Sequence, residues 1–423
     1  MSGFKGQYKD FIYIFFMMKR IVYLQLLLLW AWMGYAQPPA PPAGKRWVLN
    51  EAFSDEFNGA SLDTTKWLDH HPSWRGRPPG LFLPSQVSVA DGYLQLKGGK
   101  MMRDSIITSA SGEKLLFNIA SGIVVSKSND AYFGYYECRF KAAKTTMSST
   151  FWLSTSGNTD GPNDCKDKYG LELDIQECIG REGNFDGKWF AKGMHSNGHF
   201  WYTDCQGIRH DYRSPEVRFP SDKLESADFN IYGGWWRDES SASFYYNQSD
   251  PKHMHFYDKV KTKPFDQPMT MRLASETYPA PWIALPTDEE LADSTKNICY
   301  YDWVRSYYLV DIDEPSKPQN LKKGSNPEAK SILKTSSPLW TMFPDSAFVK
   351  TIEGNVPAQD SISITYMAPS DRELRIAIIN RRGDLLGEQK VEVYAGYGTK
   401  NMAISNPLYS RECTFKATLH PLK

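Results

Sequence analysis

The stretch GLELDIQE, residues 170–177, reveals more about the fold than any other segment of the chain. Leucine and isoleucine alternate in it with acidic residues, which is the two-residue period of a β-strand with one face in a core. The apolar side chains are predicted to face that core. Glu172 and Asp174 are predicted to face away from it.

The last acid of the stretch breaks this alternation. Strict alternation would place Glu177 on the apolar face, where a lone carboxylate is costly to bury. One extra residue near Ile175-Gln176, a β-bulge, would return Glu177 to the face that carries Glu172 and Asp174. We therefore predict a bulge between Asp174 and Glu177.

Three acids on one face of a strand indicate glycosidic bond cleavage. Hydrolysis with retention needs a nucleophile and an acid/base about 5–5.5 Å apart, and glutamate side chains are long enough to lean together. Asp174, lying between, can hydrogen-bond Glu172 and help to keep Glu177 protonated by like-charge repulsion. The competing interpretation is a solvated strand face, although such a face usually carries mixed charges or threonine.

Many short strands surround this segment. Runs of four to eight residues rich in Val, Ile, Tyr and Phe alternate with turn residues, as at Gln86–Val89, Tyr93–Leu96 and Gly122–Ser126. Asp288–Ala292 is at most a short helix. The pattern predicts an all-β fold, a jelly-roll β-sandwich of the concanavalin-like kind, for the catalytic domain at 46–311.

A second β-rich region follows. Residues 312–340 contain Pro315, Pro318 and Pro327 among charges, which is typical of a linker. Residues 341–423 are long enough for a small C-terminal β-sandwich domain. It can bind carbohydrate or act as a packing or spacer domain; we favour the latter because Trp340 and Tyr397 are the only aromatic hints of a binding platform.

The N-terminus is typical of an export signal. Lys19 and Arg20 precede an apolar run, and Gly34-Tyr35-Ala36 offers small residues for cleavage before Gln37. The alternative is a membrane anchor, but the run is short for a span. We predict a signal peptide at 1–36, a Pro-rich linker at 37–45, no membrane span after cleavage, and a secreted, periplasmic or cell-surface protein.

Charge and cysteine content narrow the function classes. Lys+Arg and Asp+Glu both number 49, so there is no global basic field for nucleic acid. The six cysteines allow 15 pairings, which sequence alone does not decide, and their spacing does not match a zinc site. We expect no redox or nucleotide cofactor and a monomer.

The sequence resembles glycoside hydrolase family 16, which carries Glu-x-Asp-x-x-Glu on a bulged strand of a jelly roll. The resemblance covers about Trp47–Val310. Its anchors besides the acidic strand are Ser54–Gly59, Leu62-Asp63, Lys66-Trp67, Tyr132–Glu137, Phe151–Leu153 and Asp302–Arg305. It implies Glu172 as nucleophile, Asp174 as helper and Glu177 as acid/base, with Trp152 as an aromatic wall beside the −1 sugar or, equally, a core residue.

The loops look most similar to the agarase and porphyranase branch, which cuts β-1,4 linkages in red-algal galactans. Trp74–Pro78 resembles a loop that lines the minus subsites there, and Arg77, or else Arg75, could bind a sulfate. The remaining residues that the resemblance assigns to substrate binding, each of which could equally be structural, are His195, His199, Glu276 and Trp282. The expected partner is a sulfated or neutral galactan.

Two further points follow from the resemblance. Family members often hold a structural Ca²⁺, and Glu56 and Asp302 match its ligand positions, with the Gly92 carbonyl as a third. Asn230 stands where many relatives have histidine, so carrageenan remains an alternative substrate. A non-catalytic lectin and a transglycosylase also remain alternatives.

Overall fold

The computed structural model describes residues 38–109, 111–314, 348–349, 353–355, 361–368, 370–379, 384–403 and 414–422. The predicted signal peptide, most of the predicted linker after residue 312, Trp340 and Cys413 lie outside these residues. Within them, no helix is long and apolar enough to cross a membrane.

The described chain is almost entirely β-structure, as the turn spacing predicts. The one α-helix of these residues, α1 (Asp288–Ala292), begins at Thr287 with a capping box completed by Glu290. The strands, in chain order, are β1 (Lys45–Leu49), β2 (Trp67–Leu68), β3 (Gly80–Phe82), β4 (Val87–Ala90), β5 (Tyr93–Lys97), β6 (Gly99–Thr108), β7 (Lys114–Ser126), β8 (Gly134–Lys141), β9 (Ser148–Ser154), β10 (Thr159–Asp160), β11 (Lys168–Ile179), β12 (Lys192–Thr203), β13 (Arg209–Arg213), β14 (Val217–Leu224), β15 (Asn230–Asp238), β16 (Ser241–Tyr246), β17 (Lys252–His255), β18 (Thr270–Ser275), β19 (Ile298–Asp311), β20 (Phe348–Val349), β21 (Glu353–Asn355), β22 (Ser361–Ala368), β23 (Arg372–Ile379), β24 (Leu385–Val393), β25 (Gly396–Ala403) and β26 (Thr414–Pro421).

Two large sheets form the sandwich. Sheet 1 runs β13-β12-β11-β9-β18-β7-β2, with β3, β6, β10 and β14 paired to its members. Sheet 2 runs β17-β16-β15-β8-β19-β1-β25-β22-β20, with β5 paired to β19 and β4 paired to β5. The main core lies between the sheets: Leu171, Leu173 and Ile175 of sheet 1 belong to the same buried cluster as Tyr232 and Trp236 of sheet 2. The jelly-roll sandwich predicted from the sequence is confirmed.

The C-terminal strands are joined to this sandwich. Strand β25 pairs with β1, with Arg46 opposite Gly398 and Trp47 opposite Tyr397. A third sheet, β21-β26-β23-β24, covers this extension. The buried cluster between the two layers is Ile364, Tyr366, Ala368, Leu374, Ile376, Ile378, Val393, Phe415 and Ala417. The C-terminal strands therefore have their own core and also continue sheet 2.

Tyr397 does not offer a carbohydrate platform, contrary to the hint in the sequence. Its side chain is 4% exposed and packs in an aromatic cluster with Trp47, Tyr135 and Tyr307. The contact secures β25 against the catalytic part of the chain, which favours a packing role for that residue.

One disulfide is present among the described cysteines. It joins Cys165 in the loop before β11 to Cys205 in the turn after β12. Cys138, Cys178 and Cys299 are buried free thiols. The bridge ties together two segments at one end of the carboxylate strand.

Candidate active site

The acidic strand contains the predicted bulge. Strand β11 pairs with β9 in one register up to Asp174 and in a shifted register from Gln176 onward. Ile175 is fully buried and faces sheet 2, since an added Cβ at Gly234 would lie 2.9 Å from it. The extra residue is thus absorbed between Asp174 and Gln176, and the prediction of a β-bulge is confirmed.

Gln176 has a structural role that the sequence did not indicate. Its side-chain nitrogen donates to the Gly193 carbonyl at 3.1 Å, and its oxygen accepts from the His195 backbone N–H at 2.7 Å. Strand β12 has its own irregularity at these residues, between Lys192 and Met194. The Gln176 amide satisfies backbone groups that the disrupted ladder leaves unpaired.

Strand pairing fixes what lies around the carboxylates on the face of sheet 1 turned away from the core, here called the site face. Glu172 is opposite His199 on β12 and Ser154 on β9. Asp174 is opposite Trp152 on β9, and Trp152 is in turn opposite Arg272 on β18. Asp174, Trp152 and Arg272 therefore lie side by side on three neighbouring strands, β11, β9 and β18.

His199 lies between two aspartates. Its Nδ1 is hydrogen-bonded to Asp211 Oδ1 at 2.6 Å, and its Nε2 lies 3.3 Å from Asp174 Oδ2. The second contact is an ion pair without hydrogen-bond geometry, since Asp174 Oδ2 has no hydrogen-bond partner among the described residues. Burial opposes a charge on His199, but the two aspartates outweigh it and raise its pKa to about 11. His199 is therefore a fixed cation beside Asp174.

The three acids differ in what surrounds them. Burial, followed by the Asp174 charge, raises the pKa of Glu172, while His199 and Arg272 oppose the rise. Burial and the Glu177 charge raise the pKa of Asp174. Burial and the Glu172 charge raise the pKa of Glu177 to about 7. The pKa of Glu172 also rises to about 7, and His199 opposes the rise at both glutamates. Arg272 opposes it at Glu172, which favours Glu172 as the ionised member of the pair and Glu177 as the protonated one.

Tyr278 holds the acid at the far end of the bulge. Its hydroxyl donates to Glu177 Oε1 at 3.0 Å. Tyr278 also packs edge-on against Phe190 and Trp282. Trp282, assigned to substrate binding from the sequence, thus belongs to an aromatic cluster next to Glu177, together with the exposed Trp189.

His195 packs against the aromatic cluster that borders Glu177. It is 6% exposed, lies against Trp189 and Phe190, and its Nε2 is within hydrogen-bond distance of the Lys192 carbonyl at 3.0 Å. These contacts suit a support beneath the aromatic cluster better than a contact to sugar hydroxyls.

The loop at Trp74 lies on the other side of the acids. The Trp74 ring meets Phe82 and Trp152 edge-on, with centroids 5.0 and 6.4 Å away. Arg75 is exposed. Arg77 Nε donates to Glu276 Oε2 at 3.3 Å, so two residues assigned separately to substrate binding form an ion pair with each other.

Arg272 is a site-face residue that the sequence did not single out. Its guanidinium lies over the Trp152 ring, 4.5 Å from the centroid, and is 7% exposed. Burial lowers its pKa to about 10, partly opposed by the charges of Glu172 and Asp174, so it remains a cation at neutral pH. Met271 is buried, so the alternation of a strand could have predicted that Arg272 lies on the site face. It could not have predicted that Arg272 lies near the acids, because that depends on the order of the strands.

The three residues predicted to bind calcium do not fit that ion. Glu56 accepts two hydrogen bonds from Arg305, at 2.8 and 2.9 Å. Asp302 accepts from Arg139. Both carboxylates are already neutralised by guanidinium groups, which a calcium ion would have to displace.

One cluster among the described residues has metal-ligand spacing: Glu172, Asp174 and His199, with ligand atoms within 4.8 Å of one another. Glu172 and Asp174 are two of the three acids of the carboxylate strand, and His199 is opposite Glu172 on β12. We therefore interpret the cluster as acid–base machinery.

Two protein-family models match this chain. The model "Beta-porphyranase A-D, GH16 domain" matches residues 47–309, and the model "Porphyranase-associated domain" matches residues 350–423. The chain is 57% identical over 360 residues to β-porphyranase D of Zobellia galactanivorans, covering 85% of this chain and 81% of that protein. It is 41% identical over 274 residues to β-porphyranase E of the same organism, covering 64% and 92%.

A solved structure agrees with the sequence matches. The crystal structure of a β-porphyranase from the human gut bacterium Bacteroides plebeius superimposes with a TM-score of 0.59 at 37% identity. The superposition covers 65% of this chain and 96% of that one.

Proposed function

Because the chain belongs to the GH16 family of β-porphyranases A–D, we propose that it is a secreted, retaining endo-hydrolase of internal β-1,4-galactosidic bonds in red-algal galactans of the porphyran and agarose type. The protein is a glycoside hydrolase. The observation that carries the proposed mechanism is the bulge of β11, which places Glu177 on the face of Glu172 and Asp174.

The first chemical step follows from the charges on that face. Ionised Glu172 attacks the anomeric carbon of the sugar and forms a glycosyl-enzyme ester. Protonated Glu177 gives its proton to the departing glycosidic oxygen, so the bond breaks without an alkoxide being released. The positive charges of His199 and Arg272 favour the ionised Glu172 that this attack needs, against burial and the Asp174 charge, which raise its pKa to about 7.

The second step reverses the role of Glu177. Its carboxylate now takes a proton from a water molecule, which attacks the same anomeric carbon and releases Glu172. A pKa of about 7 suits a group that must give and then take a proton near neutral pH. Two displacements at one carbon give net retention of configuration.

Asp174 positions and polarises the pair. It is almost fully buried and lies between the Glu172 and Glu177 positions on the same face. Its charge is balanced by His199, which is held in turn by Asp211. This chain of contacts fixes the charge state beside the nucleophile during the reaction.

Aromatic surfaces on both sides of the acids support a groove for several sugars. Trp74 and Trp152 lie on one side, and Trp189 and Trp282 on the other. Such rings can stack on the C–H faces of pyranoses, and contacts to remote sugars supply energy that is used in the transition state. Binding on both sides supports cleavage of internal bonds.

Secretion is part of the proposal and rests on the N-terminal sequence. Lys19 and Arg20, the apolar run after them and the small residues before Gln37 support signal cleavage. Sequencing of the N-terminus of protein recovered from the culture medium tests this. A start at Gln37 supports it, and retention of residues 1–36 in the membrane fraction contradicts it.

The activity is tested by release of reducing ends from porphyran, agarose, carrageenans and laminarin. We expect release from porphyran or agarose by the wild-type protein. Glu172→Gln, which keeps the shape of the side chain but removes the charge, is expected to lower the rate by at least about a thousandfold while binding persists. Release of reducing ends from carrageenan alone would contradict the proposed substrate class. Binding without any release by the wild-type protein would indicate a lectin.

A further inference from the structure

Glu225 is a fully buried carboxylate outside the three acids of the carboxylate strand. It lies directly after β14. Its Oε1 accepts from the Gly193 backbone N–H at 2.8 Å and from the Tyr246 hydroxyl at 3.0 Å. Its Oε2 accepts from the Asn230 side-chain amide at 3.1 Å and from the Tyr232 hydroxyl. Four donors thus converge on this carboxylate and offset the cost of burying it.

Gly193 links Glu225 to the carboxylate strand. It lies at the irregularity of β12 and has a φ of +85°. A Cβ there would lie 2.0 Å from the Phe219 carbonyl oxygen, so a larger residue would force the backbone to shift. The Gly193 N–H donates to Glu225, and its carbonyl accepts from Gln176 Nε2 at 3.1 Å. Two side chains therefore bind the two backbone polar groups of this glycine.

Gln176 continues these contacts to the catalytic acid. The pairing of β11 with β12 ends at Asp174 and Asn197. Beyond that pair, the Gln176 side chain joins the two strands, because it also accepts from the His195 backbone N–H at 2.7 Å. Gln176 is fully buried and directly precedes Glu177 at the bulge. A shift of the backbone at Glu177 would therefore break these buried hydrogen bonds.

From these contacts we propose that Glu225 is a positioning residue for the reaction. Through Gly193 and Gln176 it fixes the backbone of the bulge, and this places the Glu177 carboxyl group where it can protonate the glycosidic oxygen. Glu225 acts without touching the sugar, because it is fully buried among protein groups. A misplacement of about 1 Å can lower a rate roughly 100-fold, so small shifts of the bulge matter for proton transfer. The inference rests on the proposed function, since it adds a residue to the same reaction.

Two substrates with different leaving groups test the proposal. A sugar leaving group needs the proton of Glu177, whereas dinitrophenolate departs without one. The kcat/KM for a dinitrophenyl β-glycoside of a porphyran disaccharide therefore reports the attack by Glu172 alone. We expect Glu225→Ala to lower kcat/KM for a porphyran oligosaccharide roughly 10- to 100-fold, and for the dinitrophenyl glycoside less than about threefold. Glu225→Gln, which keeps an oxygen acceptor for the Gly193 N–H, should restore most of the loss.

Glu137→Ala is the matched control, because Glu137 is a fully buried carboxylate on β8 of sheet 2. It should change kcat/KM for both substrates by the same factor. Equal losses on both substrates in Glu225→Ala would contradict the inference, as would a selective loss in Glu137→Ala. If Glu225→Ala does not fold, Gln176→Met, which breaks the contact to Gly193, must show the selective loss. Failure of the proposed function is distinguishable, because wild-type protein would then turn over neither substrate, and the inference would fail with it.

Discussion

The hydroxyl of Tyr278 donates a hydrogen bond to Oε1 of Glu177 across 3.0 Å, although the two residues are 101 positions apart in the chain. A phenol that donates to a carboxylate stabilises its ionised form and lowers its pKa. Burial and the Glu172 charge act in the opposite direction and prevail, since the pKa of Glu177 stands at about 7.

The hydrogen bond from Tyr278 to Glu177 affects the alkaline side of the pH profile of kcat/KM, because it acts on the pKa of the acid. The acid must be protonated, so kcat/KM should fall tenfold per pH unit above about 7. Tyr278→Phe removes stabilisation of the ionised form, so the pKa rises and the alkaline limb should move upward by about one pH unit. Tyr246→Phe is the matched control, because its hydroxyl donates to Glu225 instead. If the alkaline limb of kcat/KM stays at the same pH in Tyr278→Phe, the ionisation of Glu177 does not cause that limb.

We expect His199 to determine where kcat/KM falls on the acid side of its pH profile. His199→Asn leaves the Asp174 charge buried without a cation, so the pKa values of Asp174 and Glu172 rise together. The nucleophile is then protonated at higher pH, and the acid limb should move upward by about one unit or more. His210→Asn, which removes the partner of Asp204 on the other face of β13, should leave the limb in place. An acid limb equal to that of wild type in His199→Asn would contradict this assignment.

Metal removal is expected to leave the fold unchanged. Arg305 and Arg139 neutralise Glu56 and Asp302, the carboxylates at the calcium positions implied by the family resemblance. We expect EDTA to change the midpoint of thermal unfolding by no more than about 1 °C. A fall of several degrees that added Ca²⁺ reverses would show that an ion displaces one of these arginines.

Gly396 lies at the junction between β1 and β25, in a backbone conformation that favours glycine. Gly396 has a φ of +124°, and a Cβ there would lie 2.3 Å from the Trp47 carbonyl oxygen. Gly396→Ala should therefore lower the free energy of unfolding of the C-terminal strands by about 2 kcal/mol or more. Gly112→Ala, with positive φ but nothing within 4 Å, should cost only about 1 kcal/mol. If denaturant titrations give the same loss of free energy of unfolding for Gly396→Ala and Gly112→Ala, β25 does not pack against Trp47 in solution.

The carboxylate strand could be predicted from local sequence because both its signals are local. Alternation of Leu173 with Asp174 defines the faces, and the cost of burying Glu177 requires the bulge. The partners of these acids come from distant strands. The pairing of Trp152 with Arg272 and the contact of Tyr278 with Glu177 depend on strand order, which the periodicity of one segment does not encode.

The roles of the arginines were the hardest to predict from the sequence, because their partners also come from distant strands and loops. Arg77 follows Trp74 closely in the chain and suggested a sulfate ligand, but its partner Glu276 is 199 residues away. The calcium prediction likewise depended on distant partners, since Glu56 and Asp302 each form an ion pair with an arginine from another strand or loop. Similarly, the continuation of sheet 2 from β1 into β25 pairs residues about 350 positions apart, so the C-terminal region looked like a separate unit in the sequence.

The configuration of the first product tests the central claim, that Glu172 and Glu177 act together as nucleophile and acid/base. Proton NMR of a fresh digest of porphyran or agarose oligosaccharides identifies the anomer before mutarotation. Our mechanism predicts that the β-anomer of the new reducing end appears first and the α-anomer follows by mutarotation. Initial appearance of the α-anomer would mean single displacement by water and would contradict the assignment of Glu172.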